Sequence, residues 1–124
     1  MGTTGWQTVG DEAQGLYMRA TSAILKTGHP PNCPVCKGDV LRFYYHEFAV
    51  EPRRRGTIWV WCRSCRLWNH MSRIQLADKW AYEDPFGALS LDEFGKVERQ
   101  GLLDQTEAMW EAGELPQSFT PPSG

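Results

Sequence analysis

CPVCKGDVLRFYYHEFAVEPRRRGTIWVWCRSC, residues 33–65, begins and ends on a C-x-x-C pair. Each of these short turns, Cys33-Pro-Val-Cys36 and Cys62-Arg-Ser-Cys65, brings two thiolates to one point. Two such turns face to face give four sulfurs at tetrahedral corners, about 2.3 Å from a shared ion. Lys37-Gly38 after the first pair leaves the backbone room to curl around the sulfurs. The expectation is one structural zinc ion held by Cys33, Cys36, Cys62 and Cys65. Its binding energy becomes folding energy, so removing it should unfold at least residues 30–75.

Other uses of four cysteines fit less well. A thioredoxin-like redox pair needs a single C-x-x-C at a strand-to-helix junction of a βαβ unit. An iron–sulfur centre lacks the ferredoxin spacings. A catalytic zinc needs an open position, which four thiolates do not leave. His29 and His70 lie close to the pairs in sequence, but with four sulfurs at hand they are expected beside the metal or at the surface.

Between the pairs, residues 40–48 and 56–62 are rich in β-branched and aromatic residues and read as two strands; residues 67–71 read as a third. The link from Ala49 to Arg55 holds Pro52 and the run Arg53, Arg54, Arg55, and reads as an exposed loop. Upstream, residues 11–26 place Ala13, Leu16, Tyr17, Ala20 and Ile24 on one helical stripe, ended by Gly28 and Pro30-Pro31. Downstream, residues 82–89 read as a loop. Ser90 and Glu93 have the spacing of a capping box, so a helix is expected from Leu91. Gly101 should break it, and a second piece should run over 102–112 with Leu103, Thr106, Met109 and Trp110 on one side. The fold class expected is α+β: a small antiparallel ribbon of about three strands, flanked by an N-terminal helix and C-terminal helices. It should form a single domain over 1–124, divided into an N-terminal helix (1–29), a ribbon (30–75), an acidic helical region (76–116) and a loose tail (117–124).

The chain carries 13 basic and 15 acidic side chains, a net charge of −2. That balance hides a gradient: residues 37–79 carry +5 and residues 80–124 carry −7. No run approaches the roughly 20 apolar residues of a membrane helix, and residues 1–10 lack the features of a signal peptide. A cytoplasmic protein with free thiols is expected, without membrane contact.

The cysteine pairs flanking a hairpin resemble the zinc-ribbon family over residues 30–75, which implies a fold more than a function. The whole chain looks like small bacterial immunity proteins of polymorphic toxin systems, on the stretches Gly56-Thr-Ile-Trp-Val-Trp-Cys62, Asp84-Pro-Phe-Gly-Ala-Leu-Ser90 and Trp110-Glu-Ala-Gly-Glu-Leu-Pro116. That resemblance implies a protein partner, in its narrowest form a toxin that the chain neutralises by direct binding. The acidic third and its tryptophan would then supply the contact, through Asp84, Asp92, Glu93, Asp104, Glu107, Trp110 and Glu111. The alternative partner is nucleic acid, gripped by Arg53, Arg54 and Arg55 and stacked on Trp59 and Trp61. A pI near 5.9 weighs against it. No catalytic motif is recognisable, so a non-enzymatic role is expected.

Overall fold

The computed structural model describes residues 5–49, 52–84 and 99–121. Along the chain come β1 (Gln7–Thr8), α1 (Asp11–Thr27), β2 (Arg42–Ala49), β3 (Arg55–Cys62), β4 (Leu67–Gln75) and α2 (Arg99–Glu111). The α+β class is as the sequence predicts. The sheet differs: it has four strands in the order β1-β4-β3-β2. The three long strands form the antiparallel meander, whereas β1 lies parallel to β4, with Gln7 opposite Leu67 and Thr8 opposite Trp68. A two-residue strand carries no hydrophobic period, so nothing in residues 7–8 announces it.

Both faces of the sheet are covered. On one face, Tyr17, Ala20 and Ile24 of α1 pack with Phe43, Tyr45, Ile58 and Val60. On the other, Leu103 of α2 packs with Trp6, Tyr44, Trp59, Trp61 and Trp68. The alternation of strand side chains thus divides the aromatic residues between two cores. Every residue of β3 after Arg55 is buried.

The buried stripe of α1 is Tyr17, Ala20, Thr21 and Ile24. It is rotated from the expected one: Thr21 replaces Leu16, which is 38% exposed. Thr21 is tolerated inside because its hydroxyl donates to the Tyr17 carbonyl at 2.9 Å. Gly28 ends the helix in the left-handed region at φ 82°. A side chain there would also strike the Phe119 carbonyl.

α2 runs through Gly101 without a break. A single glycine costs a helix only about 1 kcal/mol, which burial of Leu103 and Thr106 outweighs. The expected capping box at Ser90 and Glu93, and the start of a helix at Leu91, lie outside the described residues.

Residues 117–121 are not loose. Phe119 is fully buried and its ring lies 5.1 Å from that of Phe43. Its N–H donates to the Gly28 carbonyl at 2.8 Å, and Thr120 bridges to Ala81. Phe119→Ala should therefore cost about 3–5 kcal/mol in urea unfolding, where a loose tail would leave the midpoint unmoved.

β2 is an edge strand, and amides along its outer edge, counting that of Leu41 just before it, are occupied at three positions. Leu41 N–H donates to the Pro31 carbonyl at 2.9 Å. Tyr45 N–H donates to the Tyr82 hydroxyl at 3.0 Å, and Glu47 N–H to the Asp84 carboxylate at 3.0 Å. Residues 82–84 are irregular as expected, yet they are bound along the strand.

Candidate metal centre

The four cysteines converge. Their sulfurs all lie within 4.8 Å of one another. Across the two turns, Cys33 and Cys65 sulfurs are 3.9 Å apart, and those of Cys36 and Cys62 are 3.7 Å apart. A tetrahedral ion with metal–sulfur bonds of about 2.3 Å places its ligands about 3.8 Å apart. A disulfide needs sulfurs at about 2.0 Å, so these are free thiols. The spacing fits a single metal ion and leaves no ligand position unfilled.

The two turns are built alike. Lys37 N–H donates to the Cys33 carbonyl at 2.9 Å, and Arg66 N–H to the Cys62 carbonyl at 3.0 Å. Lys37 and Arg66 both adopt left-handed backbone, with φ 60° and 58°. Of the expected Lys37-Gly38 turn in the first pair, Lys37 is the residue that takes the left-handed backbone. Backbone amides also reach sulfur: Val35 N–H lies 3.4 Å from Cys33 Sγ and Cys65 N–H 3.5 Å from Cys62 Sγ. Such donors favour the thiolate. Ser64 of the second turn donates to the Asp39 carboxylate beside the first, joining the two.

The fold places the turns at one end of the sheet. Cys62 is the last residue of β3, paired with Leu67 at the start of β4. Cys33 is held where Asn32 bridges to Val40, ahead of β2. Cys33 and Cys62 are buried, Cys65 is intermediate and Cys36 is exposed. α1 reaches the site through Tyr17, whose hydroxyl lies 3.7 Å from Cys33 Sγ. Burial, and then the Cys33 sulfur, push the Tyr17 hydroxyl well above its ordinary range, so it keeps its proton for that contact. Burial likewise pushes the Cys62 and Cys65 thiols up. The backbone amides of Gly38 and Asp39 push Cys36 down to about 7.

The histidines stand apart from the sulfurs. His70 stacks on Trp59 at 4.6 Å and contacts the Thr57 hydroxyl. His46 is buried beside Asp84, with Nδ1 2.9 Å from a carboxylate oxygen. Tyr44 donates to the same carboxylate at 2.6 Å. A carboxylate only accepts, so Nδ1 carries a hydrogen. This Tyr44–His46–Asp84 group was not foreseen, because Asp84 lies 38 residues from His46 and read as a contact for a partner.

Most of the described acidic residues expected to face a partner are engaged within the chain. Glu107 pairs with the Arg42 guanidinium and accepts the Trp61 indole N–H at 2.8 Å. Glu111 lies 3.1 Å from Arg42 and 3.3 Å from Arg63. Asp104 accepts the Trp6 indole N–H at 2.8 Å. Trp110 bridges the cores, with its ring 5.7 Å from Phe43 and 6.3 Å from Trp61. Asp92 and Glu93 lie outside the described residues.

The residues named for nucleic acid are divided too. Trp59 is 6% exposed and Trp61 fully buried, so neither ring is open to a base. Arg54 is held by Glu47 at 2.9 Å and by the Trp80 carbonyl. Ala49 ends β2 and Arg55 begins β3, so the expected arginine loop is shorter by one residue at each end; Arg53 and Arg55 remain exposed.

Among the described residues, no helix is long and apolar enough to cross a membrane. Comparison of the chain with protein-family models, curated proteins and solved structures gives no match.

Proposed function

We propose that the chain is a non-enzymatic protein-binding module whose fold is pinned by one structural zinc ion. The observation that carries the metal assignment is the sulfur geometry. Separations of 3.7 and 3.9 Å suit one tetrahedral ion. An iron–sulfur cluster interposes bridging sulfides and spreads its thiolates further. Zinc is the common occupant of a closed four-thiolate site, and closure leaves no place for a substrate or a reactive water. The burial of His46 and Asp84, at 0% and 5% side-chain exposure, supports a structural use of that pair.

A protein partner is favoured over nucleic acid because the aromatic rings that would stack bases are in the core. An immunity role, with a toxin as the partner, draws its support from the likeness of the three sequence stretches. Its test is direct: the purified product of a neighbouring toxin gene should form a stable complex with this chain on size exclusion. Metal analysis tests the zinc assignment, expecting one colourless zinc per chain. A stoichiometric iron content with visible thiolate absorption would overturn it.

Zinc affinity should fall steeply in acid. In the metal-free, unfolded chain the thiols hold their protons below their ordinary range of about 8.5, whereas the bound site has lost them. The bound form therefore holds fewer protons and gains as pH rises. Competition with a chelator should show affinity dropping at least roughly 100-fold per pH unit below neutrality, since two or more protons compete with the ion.

A further inference from the structure

Among the described residues, some cations face a carboxylate within the chain and others do not. Arg42, Arg54, Arg63 and Arg66 each face a carboxylate. Arg19, Lys26 and Arg73 are exposed, and no ion pair joins them to a described residue. Arg19 and Lys26 lie on the outer side of α1, away from its buried stripe. They rim a groove of about 500 Å³ between α1 and β4 whose other lining residues are Met18, Ser22, Ala23 and Met71. Met18 is 47% exposed although it is large and apolar. Arg73 follows Met71 by two positions on β4. No carboxylate lines the groove.

We propose that this groove between α1 and β4 is the docking site for an acidic, amphipathic segment of a partner protein. It rests on the protein-binding reading above and gives that reading a surface and a partner chemistry. Three features point to this occupant. The rim is uniformly positive and its charges are not neutralised from within, so carboxylates on the partner would complete it. The floor is thioether and methyl, and methionine side chains reshape themselves around aliphatic groups of different form. The groove has no aromatic ring on which a base could stack, which favours a peptide over a polynucleotide. A helix with leucines on one side and glutamates on the other meets both demands. The surface differs from the one expected from sequence, because the acids of α2 are engaged inside the chain and the cations of α1 are not.

Methionine methyl resonances test the site on the intact, zinc-loaded chain. Met18 and Met71 line the groove, while Met109 packs in the core on the opposite face and serves as control. The probe is a synthetic helical peptide of about fifteen residues with leucines at i, i+3, i+4 and i+7 and glutamates elsewhere. Saturable shifts are expected at Met18 and Met71, with Met109 unmoved. Arg19→Glu with Lys26→Glu should weaken binding at least about tenfold, and a lysine version of the peptide should not bind. Both substitutions are on exposed positions, and an unchanged Met109 resonance certifies the fold. The proposal is overturned if both groove methyls stay still at millimolar peptide. It is also overturned if oligothymidylate shifts them more strongly, or if they move on concentrating the protein alone, which would assign the groove to phosphate or to a second copy. Any of these results leaves the toxin-complex experiment to judge the wider reading separately.

Discussion

Stripping the metal with a strong chelator should unfold the whole described structure, well beyond residues 30–75. A structural four-thiolate site contributes on the order of 10 kcal/mol or more, and an ordinary domain has only about 5–15 kcal/mol in all. The loss cannot stay local, because Cys33 and Cys62 are members of the same core as Tyr17 of α1 and Phe119 near the far end. An unliganded Cys33 thiol would also leave Tyr17, in the interior of its helix, with a weaker partner. Far-UV dichroism and tryptophan emission should change together on chelation and recover when zinc is restored. Cys62→Ser should give the same unfolded signal at any zinc level. A metal-free protein that melts cooperatively, with its native dichroism, would refute the structural role of the ion.

Replacing Glu107 by alanine should be among the most damaging changes outside the cysteines, at about 3–5 kcal/mol in urea unfolding. Arg42 and Glu107 are only 14% and 13% exposed, so solvent cannot take the place of the lost partner. The same carboxylate holds the indole N–H of Trp61, which is fully buried, and the substitution strands that donor as well. Glu111, half exposed at 50%, touches Arg42 and Arg63 and offers a contrast. Its alanine variant should lose no more than about 1 kcal/mol, as exposed ion pairs do. Equal losses at the two positions would mean that α2 is held by general charge attraction and not by the one buried carboxylate.

These pairs explain what the sequence could and could not convey. The metal turns were legible because each supplies two ligands within four residues, and the three long strands because β-branched and aromatic residues cluster in them. The opposite charges of the middle and the tail were legible as well. What they faced was not, since the contact joins Arg42 to Glu107 and Trp6 to Asp104 across most of the chain. Trp59 and Trp61 misled for a related reason. A strand between two helical layers buries both sides, so alternation does not mark one of them as exposed. Phe119 stood alone among polar and proline residues, where no periodic pattern could flag it. Thr21 entered the core through a local hydrogen bond, which is a matter of geometry more than of residue type.

The occupied amides along β2 bear on how the protein behaves at high concentration. A bare edge strand is a template on which another chain can add itself, and repeated addition leads to fibrils. Here the Pro31 carbonyl, the Tyr82 hydroxyl and the Asp84 carboxylate already take three of the hydrogens such a newcomer would need. Because two of the three guards are side chains and not a further strand, this edge offers a newcomer no complete ladder to copy.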